Sequence, residues 1–161
     1  MKLKKQIRCM LAVGVIFIGI QASAQSAKFI SRWQIIKGQS DFGGLEEKIA
    51  APNTIKLAMN ADSLFVYREF AQMPVLEERL KIGAPDVETL VDQKTLKLSG
   101  VNWDKKANQF IFRATYEING AQWVYWRTET WKVKGELLEV QRTTIMPDKV
   151  DRVKAVYQKV K

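Results

Sequence analysis

The stretch Gln109-Phe-Ile-Phe-Arg-Ala-Thr-Tyr-Glu-Ile-Asn-Gly-Ala-Gln-Trp-Val-Tyr-Trp-Arg-Thr-Glu-Thr-Trp131 decides the fold. Phe110, Phe112, Ala114 and Tyr116 fall on alternate positions before Asn119-Gly120, and Trp123, Tyr125, Arg127, Glu129 and Trp131 do so after it. Side chains that alternate with period two share one face of a half-buried strand. Asn and Gly suit a two-residue hairpin turn because both of its central residues need positive φ. The stretch therefore reads as a hairpin turning at Asn119-Gly120. That turn sets Tyr116 opposite Trp123, Ala114 opposite Tyr125 and Phe112 opposite Arg127.

The same pattern recurs on both sides. A second hairpin turns at Lys134-Gly135 and returns through Leu138, Val140 and Arg142. It places Trp131 opposite Leu138, Glu129 opposite Val140, and Arg127 opposite Arg142. A third joins Ile55, Leu57 and Met59 to Leu64, Val66 and Arg68 across Asn60-Ala61-Asp62-Ser63. Further strands are expected at Phe29–Ile36, Val87–Val91, Leu96–Gly100 and Arg152–Val160. One segment departs from alternation. Pro74 suits a first helical position, Val75, Leu76, Arg79 and Leu80 follow at helical spacing, and Gly83 and Pro85 supply a stop. This predicts a short helix over Pro74–Ile82, either a lid over a barrel mouth or a coiled strand connection. The chain is thus expected to be all-β and antiparallel, with about eight to nine strands and one short helix, as an up-and-down barrel or a sandwich.

At the N-terminus, Lys2, Lys4, Lys5 and Arg8 precede an uncharged apolar run from Cys9 to Ile20, and Ala22-Ser23-Ala24 follows. This is the order of a secretory signal peptide, residues 1–24, cleaved near Ala24. The apolar run is too short for a membrane span, which needs ~20 residues. A single domain, residues 25–161, remains, periplasmic or secreted. Four of the 26 basic residues leave with the signal, so 22 face 17 acidic ones and the net charge drops from +9 to +5. That charge serves solubility and is no footprint of nucleic-acid binding.

The only cysteine is Cys9, in the signal, and the chain has no histidine. The two side chains most used for nucleophilic and acid–base work near neutral pH are therefore missing from the mature domain, as are the soft metal ligands. No phosphate-binding glycine loop, metal spacing or acidic calcium cluster occurs, and no cofactor is expected. Glu46-Glu47 and Glu77-Glu78 read as solvated surface pairs. A carboxylate hydrolase is a distant reading, since it needs two acids converging from different elements.

The hairpins instead gather one face that carries Phe112, Tyr116, Trp123, Tyr125 and Trp131 with Arg127, Glu129 and Arg142 among them; Arg68 follows Leu64 and Val66 in the same phase. Two arginines across a strand pair repel, the more so when buried, unless an acid or a bound anion lies between them. These nine residues are the candidate ligand site, with aromatic walls for an apolar body and arginines for a carboxylate or phosphate head. If Glu129 neutralises the arginines, the same face is plain core. Among the other tryptophans, Trp33 is expected to plug a closed barrel end, and Trp103 to lie at the surface or mouth. Trp126, on the opposite face, is expected to be exposed near Val124 and Ile111.

Trp33-Gln-Ile-Ile-Lys-Gly-Gln-Ser40-Asp41-Phe42-Gly43, then Thr54–Phe70 with its Asp62-Ser63-Leu64, resembles small secreted bacterial lipocalin-like proteins. Tyr157-Gln158-Lys159 occupies the place of that group's C-terminal Tyr-x-Lys. Glu129-Thr130-Trp131 with Gly135 and Leu137-Leu138 looks like its penultimate hairpin. The chain departs at Gln93-Lys94, where the group has Asp-Gly, and Pro74–Ile82 looks inserted. The resemblance implies a closed or nearly closed antiparallel barrel with an apolar interior, and no reaction. The leading expectation is an exported lipocalin-like barrel that binds a small amphipathic, anionic, hydrophobic molecule non-covalently, with neither nucleic acid nor a membrane span as partner. The alternative is an envelope interaction protein with a packed core and no ligand.

Overall fold

A computed structural model describes residues 27–120 and 122–160, the side chain of Trp123 excepted. The signal segment lies outside the described residues. Ten antiparallel strands follow one another as a meander: β1 (Arg32–Ile35), β2 (Thr54–Asn60), β3 (Ser63–Glu69), β4 (Leu76–Lys81), β5 (Val87–Asp92), β6 (Thr95–Asp104), β7 (Gln109–Ile118), β8 (Trp123–Lys134), β9 (Leu137–Ile145) and β10 (Val150–Val160). The last strand returns to pair with the first, giving the order β4-β3-β2-β1-β10-β9-β8-β7-β6-β5. The sheet curls into one nearly closed barrel, and among the described residues no ladder joins β4 to β5. Closure there is local: Ile82 bridges Val101 in parallel, and the Gly83 N–H donates to the Val101 carbonyl at 2.8 Å.

The number of strands exceeds the expected eight to nine, and the helix expected over Pro74–Ile82 is a strand. Leu76 and Leu80, four apart, fit period two as well as period 3.6. Between them Glu78 also faces inward, which a helix face would have assigned to solvent. Pairing with β3 places Leu80 opposite Leu64 and Glu78 opposite Val66, and gives the backbone groups of β4 partners. A short α-helix lies elsewhere, at α1 (Glu47–Ala50) in the β1–β2 connection.

Two hairpins turn later than their dipeptides suggest. Ile118 pairs with Trp123, so four residues rather than two separate the paired strands. Asn119 and Gly120 do take positive φ, +54° and +65°, but the Asn119 N–H is drawn off to the Lys94 carbonyl in the neighbouring turn. Lys134 pairs with Leu137, so that turn is Gly135-Glu136. Both ladders slip by two residues, an even number, and every side chain keeps its face. The opposite pairs change, however. Phe112 meets Glu129 and Tyr116 meets Tyr125; Arg142 meets Glu129, and Arg127 lies between Ala114 and Thr144. The expected Arg127–Arg142 pair is thus replaced by an acid facing an arginine. The β2–β3 hairpin has the expected register, with Met59 opposite Leu64.

One end of the barrel is filled with rings. Phe29 and Phe110 meet edge-on at 4.9 Å, Trp103 packs on Phe110 at 4.8 Å, and Phe112 lies 4.5 Å from Trp131. Such pairs add about 1 kcal/mol each beyond their buried area. Trp33 is fully buried here, its Nε1–H donating to the Phe29 carbonyl at 3.0 Å. Trp103 belongs to this plug rather than to the surface or the mouth, because the odd positions of β6 face inward.

At the other end the β1–β2 connection is strapped to β10. Asp41 and Lys154 exchange backbone hydrogen bonds of 2.7 and 2.8 Å, and the Ser40 hydroxyl accepts from the Val156 N–H at 3.0 Å. Gly43, at φ +60°, lies so close to β10 that a Cβ would sit 2.0 Å from the Arg152 carbonyl oxygen. Gly44 has φ +80° and open space around it. Gly43→Ala should therefore lower stability by about 2 kcal/mol or more, and Gly44→Ala by only about 1 kcal/mol. Denaturation midpoints decide; equal losses would show that the strap is not tight.

Candidate functional site

Between the ring-filled end and the strap lies a cavity of about 500 Å³. Its wall is built from inward positions of several strands: Arg68 from β3, Glu78 from β4, Lys97 from β6, Phe112 and Tyr116 from β7, Tyr125 to Trp131 from β8, Arg142 from β9, and Tyr157 from β10. Eight of the nine residues singled out from the sequence line it; the side chain of the ninth, Trp123, lies outside the described residues.

The floor is an ionic set. Arg68 pairs with Glu78, and its Nη2 donates to Glu129 Oε2 at 3.3 Å; Lys97 pairs with Glu78 from the far side of the gap. Trp131 Nε1–H donates to the same Glu129 oxygen at 2.8 Å. The guanidinium of Arg68 lies 5.3 Å from the Trp131 ring centroid and 5.8 Å from that of Phe112, adding cation–π attraction. Burial disfavours the charge on Glu78, but Arg68 and then Lys97 outweigh it and hold the carboxyl at about 2. Glu129, 8% exposed, follows the same balance: burial raises its pKa, and the charges of Arg68 and Arg127 more than reverse this. Arg68, a candidate for the ligand head, is thereby occupied by two carboxylates and acts as a structural cation.

The other two arginines differ. Arg127 lies over the Tyr116 ring at 5.3 Å and donates weakly to its hydroxyl at 3.5 Å, while its Nε is buried without a partner. Arg142 makes no hydrogen bond or ion pair among the described residues. Burial and the charge of Arg127 lower its pKa. The Tyr157 hydroxyl is also buried and unpartnered, and burial, then Glu129, raise its pKa. Buried donors without acceptors are rare and costly. Tyr116 and Tyr125 stack at 4.4 Å, nearly parallel, as an aromatic wall beside them.

Glu78, Lys97 and Tyr157 were not among the sequence candidates. Glu78 was hidden by the helical reading of its segment, although it is in phase with Leu76 and Leu80. Lys97 sits in Leu96-Lys97-Leu98, where hydrophobicity points the leucines inward; the structure turns Lys97 in, to Glu78 and the Tyr116 ring. Its phase with Val101 and Trp103 was the available signal. Tyr157 carried one, as the first residue of Tyr157-Gln158-Lys159.

No family model matches the sequence, and no curated protein matches it. Solved structures do share the fold. A secretory abundant heat soluble protein from Ramazzottius varieornatus superposes with a TM-score of 0.58 at 15% identity, covering 81% of this chain and 94% of that one. Zebrafish ileal bile acid-binding protein complexed with cholic acid gives 0.53 at 13% identity, over 82% and 98% of the two chains. Echinococcus granulosus fatty-acid-binding protein 1 gives 0.51 at 16% identity, over 83% and 98%. At these identities the likeness establishes the antiparallel barrel fold and no more.

The ionic floor makes stability depend on acid. A carboxyl whose folded pKa is lowered stabilises the fold above its unfolded pKa of about 4.5, and this is lost as pH falls toward 2. Glu78 alone should contribute about 3 kcal/mol across that window. Glu78→Gln should be less stable near neutrality and show a flatter acid limb in unfolding measurements; an unchanged limb would refute the assignment.

Proposed function

We propose that the protein is an exported lipocalin-like barrel that binds a small amphipathic, anionic molecule non-covalently. Its apolar body lies against Phe112, Tyr116, Tyr125 and Trp131, and its head is held by Arg127 and Arg142. The observation that carries this reading is a pair of buried donors without partners, Arg127 Nε and the Tyr157 hydroxyl, with the partly buried Arg142, which makes no hydrogen bond or ion pair among the described residues, around a cavity of about 500 Å³. That volume is in the range of small-molecule sites, which combine apolar walls with a few convergent polar groups. Two barrels of the same fold are, by description, a fatty-acid-binding protein and a bile acid-binding protein with its ligand, which supports a hydrophobic guest. Export rests on the basic and apolar order of residues 1–24. Among the described residues no helix is long and apolar enough to cross a membrane.

The alternative, an envelope protein acting through its surface, is favoured by one feature. Leu98, Trp126, Ile145 and Val150 occupy one outward row across β6, β8, β9 and β10, and Trp126 is 50% exposed. Trp126 is exposed as expected, with Val124 two residues away on the same face; across the sheet it meets Thr115 and Ile145, and Ile111 lies further along, opposite Thr130.

An environment-sensitive anionic hydrophobic probe should bind with a change in tryptophan emission, and a medium-chain carboxylic acid should displace it. Arg127→Met and Arg142→Met, checked for folding by circular dichroism, should each weaken the acid roughly tenfold to a hundredfold and spare the matching alcohol. Absence of probe binding, or equal losses for acid and alcohol, would favour the surface reading.

A further inference from the structure

Counting charge around the cavity says more about the head group. The cations at inward strand positions are Arg68 of β3, Lys97 of β6, Arg127 of β8 and Arg142 of β9; Glu77, Arg79 and Arg113, which touch the cavity's edge, sit at the alternate, outward positions, with Arg79 over the Phe65 ring and Arg113 paired with Asp86. Glu78 and Glu129 take up the first two, and that set is neutral. Asp151 of β10, in phase with Val153 and Ala155, is held by Lys149 at 3.2 Å. Arg127 and Arg142 are left over. Glu129 is directly opposite Arg142, and Arg127 precedes Glu129 by two residues on the same face. The two arginines are therefore diagonal neighbours, with backbones about 7–8 Å apart and within reach of one object.

Resting on the amphiphile reading above, we infer that the head group carries two negative charges, as a phosphate monoester does. A single negative charge would neutralise one guanidinium and leave its neighbour partly buried and uncompensated. A doubly charged tetrahedral head accepts from both arginines at once, and Arg127 Nε and the Tyr157 hydroxyl remain as further donors for its oxygens. The stacked Tyr116 and Tyr125 beside Arg127 then receive the first part of the tail.

The ligand's own ionisation supplies the test. A phosphate monoester gains its second charge near pH 6. The groups facing the head are Arg68, Glu78, Lys97, Tyr116, Tyr125, Arg127, Glu129, Arg142, Asp151 and Tyr157, with Glu77, Arg79 and Arg113 at the cavity's edge. Of these, Glu78 is held at about 2, Glu129 is lowered, and Tyr125 and Tyr157 are raised. The chain has no histidine to titrate in that window.

Calorimetry should compare decyl phosphate, decyl sulfate, decanoate and inorganic phosphate. Near pH 7.5, decyl phosphate should bind at least ~10-fold more tightly than decyl sulfate, which has the same shape and one charge fewer. Its affinity should fall ~10-fold by about pH 5, while decyl sulfate stays level. Arg142→Met should remove the preference for phosphate over sulfate; should that variant fail to fold, the pH profile of the unsubstituted protein still decides. Equal, pH-independent binding of decyl phosphate and decyl sulfate would overturn the double charge and leave the amphiphile reading standing. Binding of none of the tailed compounds would overturn both. Inorganic phosphate binding as tightly as decyl phosphate would overturn the tailed ligand on which the inference rests.

Discussion

The ion pairs of Arg68 with Glu78 and Glu129, and of Glu78 with Lys97, join β3, β4, β6 and β8 inside a barrel whose last seam has no hydrogen-bond ladder. Strands β4 and β5 are both edges, and sheet edges normally demand pairing or cover. Here the seam is spanned by a salt bridge from β4 to β6 and by the short backbone contact of Ile82 and Gly83 with Val101. Removing Arg68 leaves Glu129 without its ion pair, and removing Glu78 leaves Lys97 without one; a buried charge so stranded costs far more than an exposed pair is worth. The barrel's shape and its interior charge are therefore one arrangement.

Stability alone does not call for such a set. Replacing a buried ion network with well-packed apolar side chains is commonly neutral or stabilising. The opposite end of this barrel shows that the chain can pack densely, with Phe29, Trp33, Phe110 and Trp131 fully buried. Rings close one end and charges hold the middle apart, so the central volume stays free. The division is made within single strands. In β8, Trp131 belongs to the plug, Glu129 to the floor, and Arg127 to the free donors, each two residues from the next.

Much of this was legible from residue order. Alternation located most of the strands, and it put Arg127, Glu129, Trp131, Phe112 and Tyr116 on a shared inner face. That inference survived a wrong turn at both main hairpins because the slips were even, and only odd slips exchange faces. At these two hairpins, unlike β2–β3, which residues stand opposite one another was not legible, since turn length depends on competing partners such as the Lys94 carbonyl that captures Asn119. Nor was β4, because a pair of leucines four apart satisfies both periods and an acid between them reads as solvent-facing.

The order of residues by itself determined that this is an antiparallel β protein with no histidine and with arginines and rings on one face. Those are properties of composition and of period two, which every strand carries locally. The tertiary structure alone decided how the charges cancel. Glu78 reaches Arg68 across neighbouring strands, but Glu129 on β8 and Lys97 on β6 lie far from β3 and β4 in the sheet order, so only closure of the barrel could bring them to that pair. Once they meet, Arg68 is spent, and the charge left over belongs to Arg127 and Arg142. A sum over contacts that distant in sequence has no signature in any local pattern.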